Sequence, residues 1–384
     1  MISELRRAAE TRVRLFSHLD WFIFLCALAI SLLGLVTMRS FSVENSFFDK
    51  QVIWICIAIV AFFIGCIPEY GFLRRTPVVT GFFAVVVVSL ALIYFFGSIV
   101  KGAQNRFDLG LLSVQPSDPA KLLLVMMLSK YFARRHVEIA AIRHILVSGA
   151  YAGALFILVF FQPDLGSSII LAGIWFGMVL VAGISWKHLV ALFIVAAIVL
   201  TGVWSYGLQN YQKQRVLTFI HPLTDIRGTG YNAYQSTVAV GSGEWLGKGI
   251  GYGTQSKLRF LPEYQTDFIF AAYAEEWGFV GVVILFALFS IIIFRILTIA
   301  SHGADNFDML FGAGIAVYFT AQFIVHVGMN MGLLPITGTT LPFMSYGGSH
   351  LVTEYLALGI LMGLRRHARP SIQARDETEM IGTL

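Results

Sequence analysis

Long apolar segments are the feature that most limits how this chain of 384 residues can fold. A helix needs about 20 apolar residues to cross a hydrocarbon core of about 30 Å, whereas a membrane β-strand needs about 10. Only helices and closed barrels pair all their backbone polar groups inside that core. Segments of helical length occur at 19–38, 51–67, 77–97, 119–133, 142–161, 165–183, 187–207, 268–296, 307–329 and 349–364. They predict an all-α polytopic integral membrane protein with about ten transmembrane helices.

The composition supports this class and argues against a nucleic-acid-binding protein. Charged residues make up 13% of the chain, whereas soluble domains carry about 25%. The formal net charge is +5. The basic residues, however, stand in short clusters between apolar segments and form no continuous basic stripe of the kind that binds nucleic acid. We therefore expect membrane lipids, and no nucleic acid, around the chain.

The positions of the basic residues predict the orientation in the membrane. Cytoplasmic loops are enriched in Lys and Arg. With a cytoplasmic N-terminus, the loops on that side hold most of the basic residues, including the pairs Arg74–Arg75 and Arg134–Arg135. Ten crossings then place both termini in the cytoplasm. The chain is predicted to form one membrane domain over residues 1–369, followed by a polar cytoplasmic tail over residues 370–384.

One long loop, about 208–266, is predicted on the outer side between the seventh and eighth spans. Loops of this length are uncommon in compact proteins unless they are functional or disordered. This one contains many Tyr, Trp and Phe residues, which argues against disorder. Its glycines match no phosphate-binding loop pattern, so we interpret them as turn residues.

The end of this loop holds the first candidate for chemistry. Pro262 suits the first turn of a helix, and a helix beginning there places Glu263 and Asp267 four residues apart on one face. Asp267 directly precedes the eighth apolar segment. A carboxylate at that position suits a general base or a cation ligand. The alternative is an interfacial acid that only favours the helix dipole.

Further polar residues are predicted at the same membrane face. They are Arg106, Gln115, Ser117, Asp118 and Lys121 before and within the fourth span, and Asp164 between the fifth and sixth. An unpaired charge inside a membrane helix is costly, so Lys121 needs a partner, either Asp118 or Asp164. This pair is either a structural ion pair between helices or part of a site for a pyrophosphate-bearing substrate, whose leaving charge needs neutralising.

Two other groups of polar residues have less specific interpretations. Glu275 and Glu276 lie further along the eighth apolar segment. They predict either a polar clamp between helices, which we favour, or a path for protons or cations. The stretch from Ser345 to Ser349 is interpreted as a helix breaker and cap before the tenth span.

Several short motifs are spread over nearly the whole membrane region. They include Gln115-Pro-Ser117, Gln162-Pro-Asp-Leu-Gly166, Phe260-Leu-Pro-Glu263, Thr266-Asp-Phe-Ile-Phe-Ala271, Ala274-Glu-Glu276 and Pro342-Phe-Met-Ser-Tyr-Gly-Gly348. With these motifs the chain resembles the SEDS family (shape, elongation, division and sporulation). Lys101-Gly-Ala-Gln104 and Gly253-Thr-Gln-Ser256 resemble its RodA members more than its FtsW members. The chain departs from the family pattern at Arg106, which is displaced by one position, at Asp118 in place of Glu, and at His326 in place of Asn.

The resemblance implies a membrane glycosyltransferase that polymerises the peptidoglycan precursor lipid II. It implies that Asp267 is the catalytic acid of the Thr-Asp-Phe-Ile motif, acting as general base or cation ligand. The residues expected to bind substrate are Lys121, Asp164, Gln115, Ser117, Arg215, Glu263, Asp118 and Arg106. A hydroxyl of one sugar attacks the anomeric carbon of a chain linked to polyprenyl pyrophosphate. Positive charge from Lys121, Arg215 or a cation stabilises the leaving group.

The resemblance also implies cofactors, partners and location. No organic cofactor is expected, and a divalent cation (Mg²⁺ or Mn²⁺) is the one candidate cofactor. The expected partners are lipid II, a class B penicillin-binding protein and the elongation machinery. The chain is expected in a bacterial plasma membrane, with its active site on the extracytoplasmic face. Two alternatives stay open: a lipid II flippase, supported by the intramembrane acids Glu275, Glu276 and Glu354, and a scaffold that only activates a penicillin-binding protein.

Overall fold

The computed structural model describes residues 19–41, 46–100, 103–108, 113–134, 142–208, 210–220, 230–258 and 260–381. The α-helices in this part of the chain are α1 Trp21–Phe41, α2 Ser46–Cys66, α3 Thr76–Phe96, α4 Ser117–Ala133, α5 Ile142–Phe161, α6 Leu165–Ala182, α7 Trp186–Gly202, α8 Asn210–Ile220, α9 Tyr231–Ser242, α10 Thr254–Lys257, α11 Ile269–Ser301, α12 Asn306–Asn330 and α13 Gly348–Ile381. A 3₁₀ helix covers Tyr70–Arg74, and a π-helical turn, Val203–Gly207, extends α7.

The predicted membrane class is confirmed. Within the described residues, eight helices are long and apolar enough to cross a membrane: α1, α2, α3, α5, α6, α7, α11 and α12. The helices α4 and α13 occupy the positions of the other two predicted spans. α4 has 17 residues and contains Lys121 and Lys130, but nearly all its side chains are buried by neighbouring helices. α13 continues to Ile381, so residues 370–381 of the predicted tail are helical.

A small antiparallel sheet between α3 and α4 was not predicted. Its strands β1 Ser98–Val100, β2 Ala103–Asp108 and β3 Ser113–Val114 pair in chain order. Strands of two to six residues are too short to show the alternation of apolar and polar residues that identifies a strand in a sequence. The sheet leads into α4 and so positions the start of that helix.

The eighth apolar segment is bent back on itself at Gly278. This glycine has φ 65° and ψ −165°, which interrupts α11. The Tyr273 hydroxyl donates to the Gly281 carbonyl at 2.9 Å, and the rings of Phe270 and Phe286 lie 6.2 Å apart. In a straight helix, 16 residues at 1.5 Å each would separate the last two by about 24 Å. α11 therefore consists of a short arm, residues 269–277, folded against a long arm, residues 279–301.

Close helix packing and ion pairs hold the bundle together. Gly359 of α13 lies against Phe62 and Gly65 of α2, and a Cβ at Gly359 would approach the Gly65 Cα at 3.1 Å; small residues allow such approach in membrane bundles. Near the start of α1, the buried Asp20 pairs with Arg295 of α11 and Arg365 of α13. These contacts fix three helices at the end of the bundle opposite the candidate site.

Candidate active site

Asp267 lies in a compact turn, not in the helix that was predicted to begin at Pro262. Residues 262–268 form successive turns, and α11 begins only at Ile269. Glu263 has φ 50°, a left-handed conformation that cannot continue a right-handed helix. Its carbonyl accepts the N–H groups of Thr266 and Asp267, both at 3.1 Å. The expected helical pairing of Glu263 with Asp267 is therefore wrong, although both side chains are half-buried in the same turn.

The backbone around Asp267 is held from two sides. The Asn330 side-chain amide, at the end of α12, donates to the Asp267 carbonyl at 3.0 Å. The Ser345 hydroxyl donates to the Thr266 carbonyl at 2.8 Å. The Tyr346 amide donates to the Gln265 carbonyl, also at 2.8 Å. The carboxylate is thus presented from a backbone with little freedom to move.

The segment 337–340 forms a wall beside the Asp267 carboxylate. Gly338 has φ 74°, and a Cβ built there would lie 3.4 Å from Asp267 Oδ2. On the other side of the segment, a Cβ at Gly166 would meet the Thr339 methyl group at 2.7 Å and the Thr337 carbonyl at 2.8 Å. Gly166 belongs to the first turn of α6, directly after Asp164. The wall therefore has the catalytic candidate on one side and the Asp164 loop on the other.

The structure brings Gln115, Ser117 and Asp164 together, as the sequence analysis predicted for one membrane face. Asp164 caps α6 by accepting the Ser167 amide at 3.0 Å. Its second oxygen accepts the Gln115 side-chain amide at 2.9 Å and the Ser117 hydroxyl at 3.5 Å. Gln115 also donates to Ser117 Oγ at 2.9 Å. This network fixes the start of α4 against the start of α6.

Lys121 pairs with Asp118, one of its two predicted partners. The distance between Lys121 Nζ and Asp118 Oδ1 is 3.0 Å, and each side chain is about 5% exposed. The two residues are three positions apart on α4, so one helix turn supplies both charges. Asp164 instead belongs to the Gln115 and Ser117 network. The two opposite charges cancel, so the buried pair carries no net charge.

The segment from Ser345 to Ser349 connects the two halves of the site. Ser345 bonds to Thr266, as described above. The Ser349 hydroxyl accepts the backbone N–H of Gln115 and donates to the backbone carbonyl of Gln115, both at 3.2 Å. Burial raises the pKa of the Tyr346 phenol above its ordinary value, so this hydroxyl stays neutral. The stretch interpreted only as a helix breaker therefore links the Asp267 turn to the start of α4.

Three parts of the predicted site are less closely defined. Arg106 lies half-buried in β2. The backbone of Arg215 belongs to α8, but its side chain lies outside the described part of the chain. The same holds for the whole of Lys101 and Gly102 in the predicted RodA-like motif.

Glu275 and Glu276 form a polar clamp, but it holds the outer loop and does not join two membrane helices as predicted. Glu275 accepts Lys248 Nζ at 2.6 Å, the Thr254 hydroxyl at 3.0 Å and the Gln255 amide at 3.1 Å. Glu276 accepts the Gly251 amide. Both acids thus fasten the outer loop to the short arm of α11. The glycines of this loop supply turns, as predicted: Gly247, Gly249 and Gly251 all have positive φ.

The buried polar residues of α12 that support the site were not predicted from the sequence. Tyr318, Gln322, His326 and Asn330 are spaced by four along α12, and each is 0–1% exposed. A polar residue at every fourth position of an apolar helix marks one helix face. That spacing was visible in the sequence, and it points to the wall segment: His326 Nδ1 lies 2.8 Å from the Thr339 carbonyl.

The described residues include no group of three or more His, Cys, Asp or Glu side chains placed to hold a metal ion. Asp267 therefore belongs to a set of at most two such ligands within this part of the chain. Mg²⁺ commonly binds through one or two carboxylates together with phosphate oxygens of the substrate. The donor set fits a cation only when a phosphate-bearing substrate completes it.

Comparison with known proteins gives consistent matches over nearly the whole chain. MrdB of Escherichia coli K12, a peptidoglycan glycosyltransferase, is 33% identical over 354 residues, covering 92% of this chain and 95% of MrdB. Stage V sporulation protein E of Bacillus subtilis is 32% identical over 364 residues, covering 91% of this chain and 98% of that protein.

Solved structures show the same architecture. A chain from a study of the structural coordination of polymerization and crosslinking by a peptidoglycan synthase complex superposes with a TM-score of 0.79. It is 30% identical, with 91% of this chain and 98% of that chain covered. Thermus thermophilus RodA, a rod shape determining protein, gives a TM-score of 0.68 at 27% identity, with coverage of 91% and 97%. A family model for the cell cycle proteins FtsW, RodA and SpoVE matches residues 13–370. The chain therefore belongs to the FtsW/RodA/SpoVE family, the SEDS family that its motifs resemble.

Proposed function

We propose that this protein is a peptidoglycan glycosyltransferase that polymerises lipid II during cell elongation. The observation that carries the proposal is the Asp267 turn. The Asn330 and Ser345 side chains donate to the backbone carbonyls of Asp267 and Thr266 and so fix the backbone that carries a half-buried carboxylate. The segment that includes Ser345 also contacts the start of α4. The names of the relatives, MrdB among them, support the same reaction class.

In the proposed reaction, a sugar hydroxyl of one lipid II attacks the anomeric carbon of a lipid-linked glycan chain. The new glycosidic bond forms as the bond from that carbon to the pyrophosphate oxygen breaks. Asp267 accepts the hydroxyl proton as general base. Undecaprenyl pyrophosphate leaves as an anion, so it needs positive charge more than a general acid.

Lys121 can supply the positive charge for the leaving group, and its side chain lies in the described part of the chain. Its charge, however, is already neutralised by Asp118. A buried pair of opposite charges exerts little net attraction on an anion at a distance. Lys121 can therefore assist the leaving group only if its ammonium exchanges Asp118 for the pyrophosphate, or binds both. We propose that substrate entry causes this exchange, with Arg215 as a second cation.

The alternative role for Asp267 is to bind a divalent cation that the substrate pyrophosphate also binds. Such a cation would supply electrostatic stabilisation of the leaving group. In that case Asp267 positions charge and accepts no proton. A polymerisation assay with and without a chelator tests the ligand role, because activity that survives removal of the metal excludes it.

The observations give less support to a flippase. The three acids that suggested a polar route across the membrane are all engaged in local contacts. Glu275 and Glu276 bind the outer loop, and Glu354 accepts the Phe343 amide at 2.7 Å. A scaffold role requires no carboxylate at position 267 at all.

The proposed surroundings are those of an elongation complex in a bacterial plasma membrane. A class B penicillin-binding protein is the proposed partner, which cross-links the strands that this chain would make. The similarity to a chain from a peptidoglycan synthase complex supports such an assembly. We also propose that both termini are cytoplasmic and that Asp267 is reached from the extracytoplasmic side.

The test is glycan formation from labelled lipid II in detergent, where no bilayer remains to be crossed. Wild-type protein with its penicillin-binding partner should form polymer. Asp267→Asn keeps the size of the side chain but removes its basicity, so the rate should fall about 10²–10⁴-fold. Polymerisation by Asp267→Asn at the wild-type rate would refute the role of this residue. The absence of polymer from wild-type protein with its partner would refute the function.

A further inference from the structure

The buried carboxylate of Glu354 accepts hydrogen bonds that hold the turn over residues 340–345, and this turn supports Asp267. Glu354 lies on α13 and is fully buried. One of its oxygens accepts the Phe343 amide at 2.7 Å, and the other accepts the Gln322 side-chain amide of α12 at 3.2 Å. The same Gln322 nitrogen donates to Thr340 Oγ1 at 2.9 Å and to the Thr340 carbonyl at 3.1 Å. One carboxylate therefore ties both ends of segment 340–343 to the bundle.

The 340–345 turn has a backbone conformation that needs such support. Phe343 has φ 63°, which is unfavourable for a bulky side chain and persists only when the surroundings enforce it. Its carbonyl accepts the Ser31 hydroxyl of α1 at 2.8 Å. Its ring packs on Phe319 and Tyr355, with centroids 5.1 and 5.6 Å away. Without Glu354, the Phe343 amide would be a buried donor with no acceptor, which is destabilising.

Both ends of the 340–345 turn contact the Asp267 region and so fix the position of this residue. At the far end, Ser345 Oγ accepts the Leu341 amide at 2.7 Å and donates to the Thr266 carbonyl, one residue before Asp267. At the near end, Thr340 is the last residue of the wall segment, whose Gly338 lies beside the Asp267 carboxylate. A second residue of α13 also holds the turn, since His350 Nε2 lies 3.2 Å from the Ser345 carbonyl.

We propose that Glu354, acting with Gln322, is a positioning residue for Asp267. It touches neither substrate nor the reacting atoms. It holds the 340–345 turn in the one conformation that aims the carboxylate at the acceptor hydroxyl. This inference rests on the proposed function, because the aim of Asp267 matters only if Asp267 acts in the reaction. An error of about 1 Å in aim can cost about 10²-fold in rate.

The substitution Glu354→Gln tests the proposal at nearly constant volume. Its amide oxygen can still accept the Phe343 amide, but its nitrogen then faces the Gln322 nitrogen, so two donors meet. Relief of that conflict releases either Phe343 or Thr340. The matched control is Asp308→Asn, which removes another buried carboxylate, one that pairs with Arg74 near the start of α12 and has no contact with the turn.

The measurements are kcat and KM for lipid II polymerisation, corrected for the folded fraction by thermal unfolding. We expect Glu354→Gln to lower kcat about 10–100-fold with KM within twofold, and Asp308→Asn to leave both within twofold.

A second variant keeps the test decisive if Glu354→Gln fails to fold. Ser345→Ala cuts the link to Thr266 without changing a buried charge, and it should lower kcat in the same range with KM unchanged. The proposal is wrong if kcat in Glu354→Gln matches that of the Asp308→Asn control, or, where Glu354→Gln does not fold, if Ser345→Ala polymerises at the wild-type rate. Failure of the wild-type protein to polymerise would instead refute the proposed function.

Discussion

At the scale of single residues, the Asp118–Lys121 pair raises the question whether its charge serves stability or the reaction. Breaking a buried ion pair by removing one partner costs about 3–5 kcal/mol, whereas replacing both partners by neutral groups is often tolerated. Loss of activity in a Lys121 variant is therefore ambiguous by itself. The two partners lie in one turn of α4 at 3.0 Å, so they can be changed together.

We expect Lys121→Met to lose both stability and polymerisation, because it leaves Asp118 buried without a partner. Combining it with Asp118→Asn should restore the melting temperature to within a few degrees of wild type. The polymerisation rate should stay at least 10²-fold low, since the double variant has no cation for the leaving pyrophosphate. Recovery of the rate together with the melting temperature would show that Lys121 is structural. Lys121→Arg should retain partial activity, because its charge is kept while its geometry changes.

At the scale of elements, hydropathy predicted where the helices lie but not how α11 is folded. Apolar length identified the segment from 268 onward, and a mostly apolar run of this length without proline is compatible with one straight span. The reversal depends on Gly278, whose φ of 65° is accessible to glycine. It also depends on Gly247, from a loop 31 positions earlier, which approaches its backbone. Such a contact between distant glycines leaves no periodic signal.

The candidate site shows the same division. Asp267, Lys121 and Asp164 were predicted as candidates from residue type and position at helix ends, where polar groups next to apolar segments stand out. Their supports were not found, because Glu354 and Asn330 act through hydrogen bonds to backbone atoms of segments far away in the chain. Backbone acceptors have no residue type, so a sequence pattern cannot indicate which carbonyl or amide a side chain will reach.

The hairpin of α11 can be tested by Gly278→Ala. The added Cβ would overlap the backbone of residues 245–247, and the alanine would have to adopt a conformation essentially confined to glycine. Strain and overlap together should cost roughly 2–5 kcal/mol, seen as a lower melting temperature and faster proteolysis of the loop around Lys248.

Gly153→Ala is the matched control for this test. Gly153 lies within α5, and a Cβ there meets no atom within 4 Å. Alanine in a helix is favoured over glycine by about 0.4–1 kcal/mol, so this variant should be as stable as wild type or more so. Equal melting temperatures for the two variants would contradict the hairpin at Gly278.

At the scale of the whole molecule, the long arm of α11 and the helix α12 set the two faces of the bundle. The long arm covers residues 279–301, and its 23 residues extend about 34 Å at 1.5 Å each, enough to cross a hydrocarbon core of about 30 Å. α12 returns over Asn306–Asn330. Ser301 is exposed just before the start of α12. Thr237 of α9 is exposed beside Gly332, just past the end of α12. Ser301 and Thr237 therefore lie beside opposite ends of α12.

The predicted orientation places Thr237 outside the cell and Ser301 in the cytoplasm. In a variant with Cys26, Cys56 and Cys66 replaced by alanine, we expect Thr237→Cys to react with a membrane-impermeant thiol reagent in intact cells. Ser301→Cys should react only after the cells are permeabilised, which also serves as the control for its reactivity. The physical reason is the bias of basic residues toward the loops on the Ser301 side, such as Arg74–Arg75. Labelling of Ser301→Cys but not Thr237→Cys in intact cells would reverse the orientation and place Asp267 on the face opposite to that of the proposed reaction. Labelling of both would contradict the placement of the two positions across the membrane.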